Sequence, residues 1–204
     1  MNCAWVLFAM ATANSTCGVD EHKRWGEAVE LQGTDGFTVL RLYMKSNGPN
    51  FPNNQDLPTL IYKGAHNGDE RTGRDALLRH GWSEPWKWGI FTYHHYHTVA
   101  WEALLCVSGS ALVQLGGDGG PSVQVSLGDL LLIPPGVVHK QLSSRGNFAL
   151  LGSYPVASPS VDNVRATSPP TANQLRNIAT AAVPQADPLF GDEQWRDMFR
   201  RRIS

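Results

Sequence analysis

From residue 37 the chain reads FTVLRLYM, β-branched, aromatic and partly alternating, which predicts a strand over 37–44. Residues 47–58 are rich in Asn, Pro and Gly and form a loop by composition. Leu60-Ile61-Tyr62-Lys63 predicts a second short strand. Residues 71–80 carry helical spacing, with Ala76, Leu77 and Leu78 apolar and Gly81 placed to stop the helix. Beyond that point the pattern turns to short apolar runs at 90–96, 103–107, 111–115, 122–125, 130–133 and 148–154. The glycine-rich stretch 116–120 between two of them reads as a hairpin turn. Short strands separated by turn signals predict an all-β sandwich or barrel.

No internal repeat is visible, so a single barrel with a few flanking helices is expected. The chain divides into an N-terminal extension over 1–36, a barrel with its first strands and short helix over 37–156, and a C-terminal strap and helix over 157–204. Ser, Pro and Thr dominate 157–172, as in a linker or surface strap. A final helix is expected over 192–203, with Trp195, Met198 and Phe199 on one face.

Composition narrows the class. Hydrophobic residues make up 42% of the 204 and charged residues 17%, as in a compact globular chain. A net charge of -1 leaves no electrostatic footprint for nucleic acid or an anionic membrane. Arg200-Arg201-Arg202 reads as the solvated end of the terminal helix. Cys3, Cys17 and Cys106 form no CxxC pair, which points to a reducing compartment, the cytoplasm. Residues 4–13 are apolar, and Ala11-Thr12-Ala13 resembles a signal cleavage site, but no Lys or Arg precedes them. A cleaved N-terminal signal is the alternative, and the stretch is too short to span a bilayer.

The chemistry concentrates in two segments. The first runs from Gly89 through His95, His97 and Glu102 to Gly109; the second runs from Gly128 through Pro134 and Gly136 to His139. Alternate residues of a strand share a face, so His95 and His97 project together with Phe91 and Tyr93, while Tyr96 points away. A turn at 98–100 lets Glu102 return from the next strand to the same interior, with Leu104 and Cys106. Two alternating histidines can be ordinary core residues. Three with a glutamate, facing one small interior, are harder to explain without a metal, because burying so many titratable groups is costly. Such an N₃O set suits one divalent ion of the Fe, Mn, Co, Ni, Cu or Zn type rather than Ca or Mg.

These segments resemble the two cupin motifs, G-x5-HxH-x3,4-E-x6-G and G-x5-PxG-x2-H-x3-N. Every position of the first is matched, and the second is matched as far as His139; Ser143 stands where the family often has Asn. The wider context, from LPTLIYKG to ADPLFG, is similar to small uncharacterised single-domain cupins of bacteria and fungi. The resemblance implies a jelly-roll barrel with a metal in its mouth, held by His95, His97, Glu102 and His139. It also implies a homodimer and a small-molecule substrate, with O₂ as a possible co-substrate.

The leading functional expectation is a dioxygenase or hydroxylase acting on a phenolic or keto compound, with Fe, Mn or Ni, and Zn as a further option. Glu102 is expected to serve as ligand and, by loosening, as base. Tyr93 is a candidate acid or hydrogen-bond donor near the substrate. The rivals are a metal-dependent isomerase or decarboxylase and a non-catalytic small-molecule binder. Trp82, Trp86 and Trp88 read as aromatic packing before the barrel, with a lid or dimer contact as the alternative. His94 reads as a surface residue, and Trp101 and Cys106 as core.

Overall fold

A computed structural model describes residues 37–158 and 160–191, together with the backbone of two N-terminal strands. The strands are β1 (Val6–Leu7), β2 (Ala28–Gln32), β3 (Thr38–Leu42), β4 (Thr59–Lys63), β5 (Trp86–Trp88) and β6 (His95–Tyr96). After these come β7 (Glu102–Leu115), β8 (Ser122–Ser126), β9 (Leu130–Ile133), β10 (His139–Ser153) and β11 (Val164–Arg165). Two short helices flank them, α1 (Glu70–Arg79) and α2 (Ala172–Ala179). The expected terminal helix over 192–203, and most of the 1–36 extension, lie outside the described residues.

The all-β class and the flanking helices are as expected. All the strands join one sheet, whose main path runs β11-β6-β10-β7-β9-β4-β3-β2. That path is antiparallel throughout and has two open ends, so hydrogen bonds do not close it into a ring.

Both faces of the central strands are buried. On β7, Leu104 and Cys106 join a core with Leu131, Ile133 and Leu150, while Ala103 and Leu105 join a second core with Leu130, Leu132 and Leu151. This explains the unbroken apolar run LLLI of β9, since a strand covered on both sides shows no alternation. Trp82 and Trp101 belong to the second core, and Cys106 is fully buried with its thiol pushed up to about 11, chiefly by burial.

Two boundaries differ from expectation. The runs 103–107 and 111–115 are one strand, bent where Gly109 takes a φ of +62°. A Cβ there would lie 2.3 Å from the carbonyl oxygen of Arg145 on β10, so only glycine fits the close approach. Conversely, of the predicted 90–96 strand only His95–Tyr96 pairs, against His139 on one side and against Val164 and Arg165 on the other. The segment before it is irregular, joined to β10 by the Gln141 N–H donating to the Phe91 carbonyl at 2.9 Å.

Candidate metal centre

Three of the expected ligands open strands: His95 opens β6, Glu102 opens β7 and His139 opens β10. His97 follows β6 by one residue. Its carbonyl accepts from the N–H of Gly136 at 2.7 Å, which ties it to the Pro134-Pro135-Gly136 turn before His139. That turn is held from below by two buried asparagines. Asn53 Oδ1 accepts from the Val138 N–H at 3.0 Å, and Asn54 Nδ2 donates to the Pro135 carbonyl at 3.0 Å.

The four side chains are all buried, none more than 5% exposed, and their donor atoms lie within 4.8 Å of one another. Among the described residues this is the one group of three or more His, Cys, Asp or Glu side chains able to share an ion. Each imidazole faces a backbone carbonyl through Nδ1: His95 that of Tyr93 at 3.3 Å, His139 that of Val137 at 3.0 Å, and His97 that of Asp162. A carbonyl only accepts, so each Nδ1 carries the proton, and in the neutral ring Nε2 is a bare lone pair. Glu102 Oε2 lies 3.1 Å from His139 Nε2 and 3.5 Å from His97 Nε2. All three of these atoms are buried without a hydrogen bond. Lone pairs converging on one point without a donor fit a cation, and the N₃O set fits a transition metal.

The electrostatics agree. Burial pushes the His95 imidazole down to about 3, and His139 adds to this. Burial would also lower His97, but the Glu102 carboxylate beside it, with Asp162, outweighs that and raises it. Burial would raise Glu102, yet His97 and His139 hold it well below the usual carboxylate range. The cluster therefore favours a negative carboxylate facing positive charge.

The centre opens into a cavity of about 510 Å³, within the usual range for small-molecule sites. Its wall includes Trp86, Trp88, Ile90, Phe91, Leu104 and Tyr154. Tyr154 donates its hydroxyl to Glu102 Oε1 at 3.3 Å. Its phenol is raised, first by burial and then by the Glu102 charge, so it stays a donor. Tyr93 is not part of this wall. Its ring stacks on Phe91 at 4.7 Å and meets the edge of His95 at 5.7 Å, with the Arg165 guanidinium 3.8 Å from its centroid. His94 is partly buried and bonds Asp118 at 2.9 Å, away from the other three histidines.

A larger cleft, about 780 Å³, lies beyond Trp101 between the 155–158 turn and residues 177–186. Its lining holds one histidine, His80, and no acid or cysteine, so it offers no comparable chemistry.

Sequence reasoning passes over Tyr154, Asn53, Asn54 and Asp162. Asp162 belongs to the strap: besides its carbonyl on His97, its carboxylate accepts from the Thr98 N–H at 2.8 Å and hydroxyl at 2.6 Å.

A β-sheet fold carrying a buried three-histidine, one-glutamate cluster fits a metal-binding cupin. The chain is 36% identical to the uncharacterized protein YjlB of Bacillus subtilis (strain 168) over 145 residues, 70% of this chain and 86% of that protein. It belongs to the same family as that protein. No protein-family profile matches the chain. Among solved structures, procruciferin, an 11S globulin from Brassica napus, overlaps 70% of this chain and 28% of its own, at 19% identity. Its TM-score of 0.28 is too low to bear on fold or function. Among the described residues, no helix is long and apolar enough to cross a membrane.

Proposed function

We propose that the chain is a cupin enzyme that holds one divalent metal ion and acts on a small organic molecule, as a dioxygenase or hydroxylase on a phenolic or keto compound. The observation that carries this reading is the convergence of three buried, unsatisfied lone-pair atoms beside a cavity of substrate size. His95, His97 and His139 would hold the ion through Nε2, and Glu102 through Oε2. When bound, Fe, Mn or Ni would supply Lewis acidity and access to O₂, whereas Zn would supply Lewis acidity alone.

The chain's own residues set the conditions. The backbone carbonyls of Tyr93, Val137 and Asp162 fix the ring orientations, so no reorganisation is needed on binding. Were Glu102 to loosen from the ion, Tyr154 would keep its Oε1 in place while Oε2 took a proton. The apolar wall limits water at the reacting end. A homodimer, supported by the cupin resemblance, and a cytoplasmic location, supported by three cysteines without a CxxC pair, are part of this proposal.

Elemental analysis of protein purified without added metal, beside a His97→Ala variant, tests the reading. A full equivalent of Fe, Mn or Ni in the parent, lost in the variant, supports it. No metal at purification and none taken up from Fe(II) or Mn(II) would overturn it. Oxygen uptake with phenolic or keto substrates then separates an oxygenase from a redox-neutral isomerase or decarboxylase, which would turn over equally well without O₂.

A further inference from the structure

Away from the ligand cluster, the cavity wall is almost devoid of usable charge. Among the described residues its one cation is Lys87, at the exposed rim, whose ammonium pairs with Glu70 Oε2 at 2.6 Å. Its only carboxylate, Glu102, is committed to the histidines. The rest is aromatic or aliphatic, apart from Tyr154 and Asn163.

Two aromatic rings at this cavity are left uncovered. Trp88 is 72% exposed and Phe91 44% exposed, and of the large apolar side chains exposed on the described surface only these two line the cavity. Large apolar groups left in water beside a built cavity mark a surface that something else covers. Both are held in place. Trp88 lies on β5, paired with Leu150 of β10. Phe91 is backed by Tyr93, which in turn sits under Arg165, and its ring meets His95 nearly perpendicular at 5.1 Å. Tyr93 thus serves the cavity indirectly, as the support behind Phe91.

We propose that the cavity takes a molecule with a single oxygen-bearing head, directed at the ligand cluster, and a flat, uncharged aromatic body that covers Trp88 and Phe91. This rests on the metal reading given above and adds the substrate class to it. An aromatic body gains stacking and apolar burial on the two rings. A second anionic group on that body would sit among apolar walls whose one described cation, Lys87, is at the rim and paired with Glu70, and would be penalised for lost hydration.

The probes are benzoate, terephthalate and acetate, titrated by calorimetry into the full chain loaded with Zn(II), with metal content measured on the same samples. Benzoate carries the head and the body, acetate the head alone, and terephthalate a second charge on the body. Benzoate is expected to bind at least about tenfold more tightly than either of the others. Trp88→Ala should lower benzoate affinity to near that of acetate, and Trp88→Phe should restore most of it, with zinc content unchanged in both variants. Equal affinities for the three acids, or no effect of Trp88→Ala with zinc intact, would overturn the inference and leave the metal reading standing. A Trp88→Ala variant that splits a dimer while keeping benzoate affinity would assign these rings to a second copy of the chain, and would also overturn it. Failure of the parent to take up zinc, Fe(II) or Mn(II) would remove the metal reading itself, and this inference with it.

Discussion

Tyr154 and Glu102, 52 residues apart in the chain, meet through a hydrogen bond of 3.3 Å from the phenol to Oε1. This leaves Oε2 turned toward His97 and His139. The phenol therefore decides which carboxylate oxygen is offered to an ion. Tyr154→Phe should lower metal affinity by about 10-fold or more, as is usual when a partner behind a metal ligand is lost. Competition with a chelating dye reads this directly. Stability should fall by no more than about 1.5 kcal/mol, the net worth of one hydrogen bond.

Asp162 fastens the strap to the centre by its carbonyl on His97 and its carboxylate on Thr98. Asp162→Ala removes the carboxylate contacts and frees the carbonyl to drift. Metal affinity should drop by about 10-fold, and limited proteolysis should cut between residues 157 and 171 sooner than in the parent. Unchanged cleavage with reduced affinity would mean that the strap is held by the β6–β11 pairing alone.

Gly109 lies within β7 at a φ of +62°, and a Cβ there would lie 2.3 Å from the Arg145 carbonyl oxygen of β10. Gly109→Ala should destabilise by about 1–3 kcal/mol, from the strained backbone and the forced shift. Urea unfolding monitored by tryptophan fluorescence gives the number.

Asp187 is buried, 1% exposed, and accepts from the Tyr62 hydroxyl at 2.6 Å and the N–H groups of Leu189 and Phe190 at 2.8 and 3.0 Å. Burial nevertheless outweighs those bonds and raises its carboxyl above the ordinary 3.8. A carboxyl raised on folding adds stability below its unfolded value, and that stability is lost as pH rises through the folded value. Asp187→Asn keeps an acceptor for the two N–H groups and removes the titration. The urea midpoint of the parent should therefore fall relative to the variant as pH rises from about 4 to about 8. Parallel curves would show that the carboxyl does not titrate differently on folding.

The four ligand positions are legible in the sequence because alternation, a turn and a proline-glycine break make them candidates, and the match of their spacing to the two cupin motifs selects them. Counting by twos places the Tyr93 ring beside Phe91 and His95, as found, but does not tell that Phe91 and not Tyr93 lines the cavity, because the residues before His95 leave the strand. Tyr154, Asn53 and Asn54 are illegible because their partners lie 52, 85 and 81 residues away, and nothing in their neighbourhoods distinguishes them from core or loop. Helix α2 carried a readable signal within the stretch treated as strap and beyond it. Thr171 and Gln174 form a capping box, with the Thr171 side chain accepting at 3.2 Å and Gln174 reaching back at 2.8 Å.

Glu102 and His139 begin the two long strands that pair with each other, yet they lie near opposite ends of that ladder. Ala103 faces Ser153 at one end, and His139 faces Leu115 at the other. Laid straight, this length of strand would hold them about 40 Å apart. In the folded chain their Nε2 and Oε2 atoms are 3.1 Å apart. An ion at this point would act as a clasp across strand ends that the pairing of Glu102 with Ile133 and of His95 with His139 already brings together. A register slip of one residue in either pairing would turn a donor away from this point.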